Sequence, residues 1–255
     1  NGGLNKTFLG FAYQLSENIA IGFDARYNFG NIQNSALEYL YDEESLPLDY
    51  QAREQNRSDL SGVNFNYGLI YVGKLKQNLE LHASLTHSPN YNLSSRNSRT
   101  FASVVINPNT QIEFPVNEIN VDLESLGLDK TDLSMPSITS FGIGISKPKK
   151  WFLGAEYTSI SSSIFSNDLI SIQNSEFEDS SKISIGAFYI PDYASFSNFF
   201  SRVVYRTGFY SENTGLIING ESINEFGISF GLGIPAGGLF SNVNSTFEFG
   251  KRGTT

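Results

Sequence analysis

The chain has 255 residues, a formal net charge of −9, no cysteine, and 14% aromatic residues that are nearly all Phe and Tyr. The lack of cysteine excludes disulfides and zinc sites built on thiolates, and the acidic balance argues against a nucleic-acid surface, which must neutralise phosphates with Lys and Arg. No stretch reaches the ~20 consecutive apolar residues of a membrane helix.

The first predicted strands, Lys6–Leu15 and Ile19–Gly30, set a pattern that recurs along the chain. From Ile19 to Phe29 every second residue is apolar (Ile19, Ile21, Phe23, Ala25, Tyr27, Phe29), while the alternate row holds Asp24, Arg26 and Asn28. Eleven residues is about what a tilted strand needs to cross hydrocarbon. Eight further strands repeat the alternation: Gly62–Val72, Leu79–Thr86, Ser137–Ser146, Trp151–Ser159, Ile183–Ile190, Arg202–Tyr210, Glu225–Ile234 and Asn242–Gly250. Their outward rows, such as Val63/Phe65/Tyr67/Leu69/Tyr71 and Phe226/Ile228/Phe230/Leu232/Ile234, contain no charge at all. A Lys or Arg facing mid-bilayer costs ~2–4 kcal/mol, so lipid is a sufficient reason. Helical periodicity shows only weakly, near Ala36 to Leu40.

The connections alternate in length. Short ones (Ser16–Asn18, Gly73–Asn78, Lys147–Lys150, Pro191–Phe199, Pro235–Ser241) take turns with long ones (Asn31–Ser61, His87–Pro136, Ile160–Lys182, Ser211–Asn224). Outer-membrane barrels are built this way, with short turns at the periplasmic rim and long loops outside. Within the longest loop, Phe101/Ser103/Val105 and Ile112/Phe114/Val116 predict a hairpin standing above the membrane. Aromatics gather at strand ends, Tyr13, Tyr71, Trp151 and Tyr189 beside short turns and Tyr157, Phe209 and Phe249 beside long loops, as in interfacial girdles. The fold class is therefore all-β, an antiparallel transmembrane β-barrel in a Gram-negative outer membrane, with residues 1–255 as one domain.

Strand parity adds an expectation. Bacterial barrels normally begin and end in the periplasm with an even strand count, whereas the first strand here descends from the long-loop side and the tenth returns to it. An odd number of strands is thus expected before Asn1 and another odd number after Thr255, with the ten forming an incomplete wall.

Three segments carry a family resemblance: Ser140–Ser146 through Trp151–Tyr157, Gly186–Pro191 through Val204–Tyr210, and Glu225–Pro235 through Phe247–Thr255. Together they resemble the C-terminal half of the long-chain fatty-acid transporter family (FadL/TodX-type outer-membrane proteins), in a style similar to its Bacteroidota branch. The resemblance implies a fourteen-stranded barrel, with three strands and an N-terminal hatch before this segment and one strand after it, admitting hydrophobic molecules. It also leaves open a role in which the barrel binds other proteins, as in type IX secretion or outer-membrane assembly.

The inward rows hold the candidate ligand-facing residues Asp24, Arg26, Glu80, His82, Glu156, Arg202, Arg206 and Glu248. Arg202 and Arg206 are the best candidates for a carboxylate-bearing ligand, because they share one predicted strand face and guanidinium forks suit carboxylates. The plainer alternative is that these residues are polar because water or a plug faces them. Many other inward positions are Gly, which leaves room for a hatch or simply allows curvature. Asp42-Glu43-Glu44 reads as a solvated acidic tip, with calcium as the alternative. Gly231-x-Gly233 lies inside a strand and is no dinucleotide fingerprint, so no cofactor is expected. No metal site or catalytic set is expected either, as nothing pairs a nucleophile with a base. Passive uptake of hydrophobic compounds leads; a non-transporting barrel subunit of a larger complex is the alternative. The expected partners are outer-membrane lipid, a hydrophobic small molecule in the first case, and other outer-membrane proteins or lipoproteins in the second. Apolar stripes packed on a second sheet would refute the membrane reading.

Overall fold

A computed structural model describes residues 2–107, 109–164, 175–236 and 241–253. Fourteen strands follow one another: β1 (Gly2–Gln14), β2 (Ile19–Glu38), β3 (Gln51–Lys74), β4 (Glu80–Ser88), β5 (Tyr91–Ile106), β6 (Glu113–Asn120), β7 (Lys130–Met135), β8 (Ile138–Lys147), β9 (Trp151–Ile160), β10 (Ser175–Phe177), β11 (Ser180–Tyr189), β12 (Val204–Ile218), β13 (Glu221–Pro235) and β14 (Asn242–Arg252). Only short 3₁₀ turns interrupt them, and no described helix is long and apolar enough to cross a membrane. Ten strands form one antiparallel path, β1-β2-β3-β4-β8-β9-β11-β12-β13-β14. They are the ten that alternation predicts. Among the described residues β1 pairs only with β2 and β14 only with β13, so the wall does not close on itself.

Register settles which face is which. Tyr71, Ala83, Ile143, Ala155, Ile185, Phe209, Ile228 and Phe249 stand opposite one another in consecutive ladders. An uncharged apolar band therefore runs around one face. Its side chains stay open, Phe11 at 67% and Phe230 at 55% exposure, because no second sheet covers them. The described buried apolar residues (Leu60, Leu93, Ala102, Val104, Leu123, Leu133, Ile190, Val203) lie outside this band. A soluble sandwich would bury the opposite set. An apolar band this large on one face calls for a nonaqueous surrounding.

The long loops differ from expectation. Much of Asn31–Ser61 is strand: β2 and β3 pair without a break from Ile19↔Tyr71 to Glu38↔Ala52. The weak helical pattern at Ala36–Leu40 gives way because Ala36 and Leu37 sit in this ladder opposite Glu54 and Arg53. Beyond Phe29 and Val63 the outward rows turn polar, with Asn31, Gln33 and Ser35 on β2 and Ser61, Asp59 and Arg57 on β3. The hydrocarbon band must end there, since an outward ion pair at mid-bilayer depth would be costly. The nine residues Gly30–Glu38 then extend roughly 30 Å beyond it.

β3 changes partner along its length, pairing with β4 over 67–74 and with β5 over 51–61. The predicted hairpin is present, since β5 pairs β6 with Val105 opposite Phe114. β7, which alternation did not reveal, pairs the other end of β5, and β10 pairs β12. Upper β2, upper β3, β5, β6 and β7 thus form an arm above the lipid band. Its small core is Leu60, Leu93 and Leu133 with Tyr91 and Met135 packed against it. Gly62 marks the junction: a Cβ there would sit 2.8 Å from both the Asn92 carbonyl oxygen and Leu93 Cδ2, so only glycine lets β5 start so close to the wall. Ten residues of the predicted loop Ile160–Lys182, 165–174, fall outside the described residues.

The band generates a direct prediction. Ile143→Arg places a guanidinium at the centre of the lipid-facing row and should destabilise the folded barrel by about 2–4 kcal/mol. Denaturant titration of protein refolded into lipid vesicles reads this.

Candidate functional site

The face opposite the lipid band carries the polar side chains of the wall, and its register is regular. Gly144, Gly154, Gly186 and Gly208 stand side by side on β8, β9, β11 and β12, so one level of the inner wall has no side chains across four strands. Neighbouring rings lie flat over parts of this belt. The Phe152 ring would meet a Cβ at Gly144 at 2.8 Å and one at Gly154 at 2.6 Å, whereas Gly186 faces open space. Phe152 stacks on Phe188 at 6.0 Å and receives the His82 ring edge-on at 5.8 Å. The result is a shallow recess of about 430 Å³ lined by His82, Ser84, Phe152, Glu156, Ser184 and the belt glycines Gly144, Gly154 and Gly186.

The predicted inward residues fall into separate groups. Asp24 and Arg26 pair with each other, Nε to Oδ1 at 2.7 Å, and Asn66 donates to the same carboxylate at 2.6 Å. Just above, Asn28 donates to Asn64 at 2.8 Å. Glu80 lies 3.8 Å from His82 Nε2, which also meets Ser146 Oγ at 2.8 Å. Serine and carboxylate thus address the same ring nitrogen. A catalytic relay needs them on opposite nitrogens, so this trio is structural. Glu156 shares the recess with His82. Glu248 accepts from Tyr210 Oη at 3.3 Å, and Glu225 accepts from it at 2.7 Å. Lys182 lies 4.4 Å over the Tyr210 ring and pairs Glu212 at 3.0 Å.

Arg206 donates to Asn244 at 2.7 Å and lies along the wall beside Gly233. Arg202 does not share its strand face. It ends a 3₁₀ turn, Phe200–Arg202, two residues before β12 begins, with its guanidinium 5.8 Å from the Phe199 ring. The alternation ran on through Val203 and so absorbed a residue that belongs to the turn. The strand face expected to carry both Arg202 and Arg206 therefore carries only Arg206. Sequence reasoning also missed Tyr210, Lys182 and Glu225, although the inward parity of their strands marks all three. Tyr210 and Glu225 sit at the ends of predicted strands, and Lys182 falls one residue outside one, where alternation fades.

Among the described residues no cluster of three or more His, Asp or Glu side chains could hold a metal. In the acidic tip, Asp42 Oδ1 accepts the Glu44 and Leu46 backbone N–H groups at 3.0 and 2.8 Å, so it shapes the turn. On the outer face of the arm, Arg57 and Asp59 form an ion pair at 2.7 Å. Hydrogen bonding from Arg57 holds the Asp59 carboxyl below its ordinary range.

The wall, its uncharged lipid band and its long arm define an all-β protein with an antiparallel wall of the outer-membrane β-barrel kind. The chain belongs to the BamG family, whose model matches residues 1–255. No curated protein matches the chain significantly by sequence. Among solved structures, the CymD monoaromatic hydrocarbon channel aligns with a TM-score of 0.53 at 15% identity, covering 98% of this chain and 68% of that one. The toluene transporters TbuX of Ralstonia pickettii (TM-score 0.44, 14% identity, 99% and 69% covered) and TodX of Pseudomonas putida (0.45, 12%, 97% and 67%) also align. The resemblance read from the strand patterns thus holds for the fold, while the family is BamG.

Two predictions follow from these geometries. Phe152→Ala removes the ring that covers two glycines and touches Phe188 and His82, and should cost about 1 kcal/mol of stability, read as a lower denaturant midpoint in detergent. Because the folded Asp59 carboxyl is lowered, its stabilisation is full above the unfolded value and is lost as pH falls through the folded one. Acidification below about pH 4 should loosen this part of the arm, and Asp59→Asn should abolish that acid-induced step in limited proteolysis.

Proposed function

We propose that this protein is a membrane-spanning barrel subunit of the Bam outer-membrane assembly machinery, located in the outer membrane, and that it serves there by binding other proteins. The observation that carries this reading is the BamG-family match along the whole chain. The geometry agrees with it. Cations of the inner wall are engaged by wall residues, as in Asp24–Arg26 and Arg206–Asn244, which leaves the recess without a ready clamp for an anionic head group. The arm, by contrast, projects beyond lipid and exposes apolar side chains, Phe101, Phe114 and Ile119 among them. Long surface elements of this kind more often serve binding than stability.

The wall itself supports a further part of the reading. Unpaired backbone N–H and C=O groups find no partner in hydrocarbon, so in the membrane both β1 and β14 are paired along their free edges.

The test is tagged full-length protein purified from its native host in mild detergent. Stoichiometric co-purification of the other Bam subunits is the expected result, with slowed assembly of other outer-membrane proteins when the chain is depleted. A lone barrel carrying a bound hydrophobic compound, with uptake of that compound lost on deletion, would instead establish passive transport.

A further inference from the structure

The two rims of the wall differ in charge. At the short-turn rim lie six cations, Lys74, Lys76, Lys147, Lys149, Lys150 and Arg202, against Glu17, Glu80 and Asp192. The arm side carries most of the carboxylates. Ladder order makes the cations one arc, because β4 pairs β8 and β9 pairs β11, which brings the β3–β4, β8–β9 and β11–β12 turns next to one another. The last two touch directly: Ile190 N donates to Lys150 O at 2.7 Å, and Lys149 Nζ lies 5.7 Å over the Tyr193 ring. Among the described residues none of the six forms an ion pair, as is also true of Lys6, Arg96, Arg206 and Lys251, whereas Arg26, Arg53, Arg57, Arg99, Lys130, Lys182 and Arg252 each do.

Beside this arc the β11–β12 turn holds apolar rings in the open. Phe196 is fully exposed and Phe200 is at 70%, with Phe199 packed edge-on against Phe200 at 5.8 Å. The turn is well fastened. Asp192 N donates to Ser201 O at 2.8 Å, its carboxylate accepts from Ala194 N at 3.0 Å, and Asn198 Oδ1 accepts from Phe200 N at 3.1 Å. Tyr205, a member of the lipid-facing row, donates from Oη to Phe200 O at 3.1 Å. That bond ties the 3₁₀ turn to the lipid side of the wall. The turn's exposed rings thus lie at the short-turn end of the lipid-facing row, with ammonium groups that form no ion pair on the adjacent turn.

We propose that this rim is a binding site for anionic phospholipid, its lysines on the phosphates and its phenylalanines among the acyl chains. Ring-and-cation borders of this kind suit the membrane–water interface, where long basic side chains reach the headgroups. An acidic protein partner is the weaker fit, because the turn that carries the rings is bonded to Tyr205 of the lipid-facing row. The proposal rests on the membrane-spanning reading and not on the Bam assignment.

Native mass spectrometry of the full-length protein in mild detergent tests it, with phosphatidylglycerol and phosphatidylcholine of identical chains as probes. The expected result is retention of phosphatidylglycerol over phosphatidylcholine on the order of tenfold, falling to near parity in Lys147→Ser/Lys149→Ser/Lys150→Ser. Phe196→Ser/Phe200→Ser should weaken retention of both lipids alike, and Lys130→Ser on the arm should change nothing. Heat-dependent gel mobility verifies folding of each variant. Lys74→Ser/Lys76→Ser, on a separate turn, must lower the preference independently should the triple variant fail to fold. No preference in the unmodified protein overturns the proposal. So does a preference that survives the substitutions, one abolished by inorganic phosphate alone, or loss from the triple variant of a co-purifying protein while the lipid preference stays. None of these bears on Bam co-purification by the unmodified protein, whereas extraction of the chain without detergent would remove the membrane reading beneath both.

Discussion

The structure depends on one constraint, that no charged side chain and no unpaired peptide group is tolerated where the wall meets hydrocarbon. Strand length, register and the placement of aromatics follow from it. The in-register row from Tyr71 to Phe249 can be uninterrupted because a one-residue slip anywhere would swing an inward polar side chain into lipid. Such a slip between β2 and β3 would turn Asp24 and Arg26 outward. The register is thus enforced by solvent on both faces, even though the wall has almost no packed interior.

That economy explains where the protein core went. A barrel wall is stabilised by its ladders and by lipid on one side, so buried apolar packing gathers where the chain leaves the membrane. Leu60, Leu93 and Leu133 form such a nucleus in the arm, beside a polar network in which Asn97 accepts from Ser58 and Ser95 and donates to Thr131 and the Leu128 carbonyl. The inner wall shows the complementary strategy. Where Gly144, Gly154 and Gly227 remove side chains, the Phe152 and Tyr210 rings lie down over the exposed backbone, restoring contact that glycine forgoes.

Much of the fold was legible because a period of two is hard to mistake when one face must be apolar. All ten wall strands and the β5–β6 hairpin can be read from the residues. What could not be read is strand above the membrane. In upper β2 and β3 both faces meet water or polar neighbours, so the alternation that marked Ile19–Phe29 vanishes at Asn31 while the ladder continues. β7 is six residues long and owes its existence to β5. For the site, parity places Asp24, Arg26, His82, Glu156 and Arg206 on the inner wall, but parity cannot say which of them meet. Arg202 was lost for a related reason: a turn whose residues happen to continue the strand pattern, Val203 after Arg202, is indistinguishable from strand until the Phe200 carbonyl is seen bonded to Tyr205.

The partner exchange of β3 at Gly62 has a mechanical consequence. The same two strands, β2 and β3, run unbroken from the lipid band into the arm, with no hinge between them. A load applied at the arm's tip is therefore delivered as torque to the barrel rather than absorbed in a joint. Whatever docks outside and whatever surrounds the wall are held by one stiff lever.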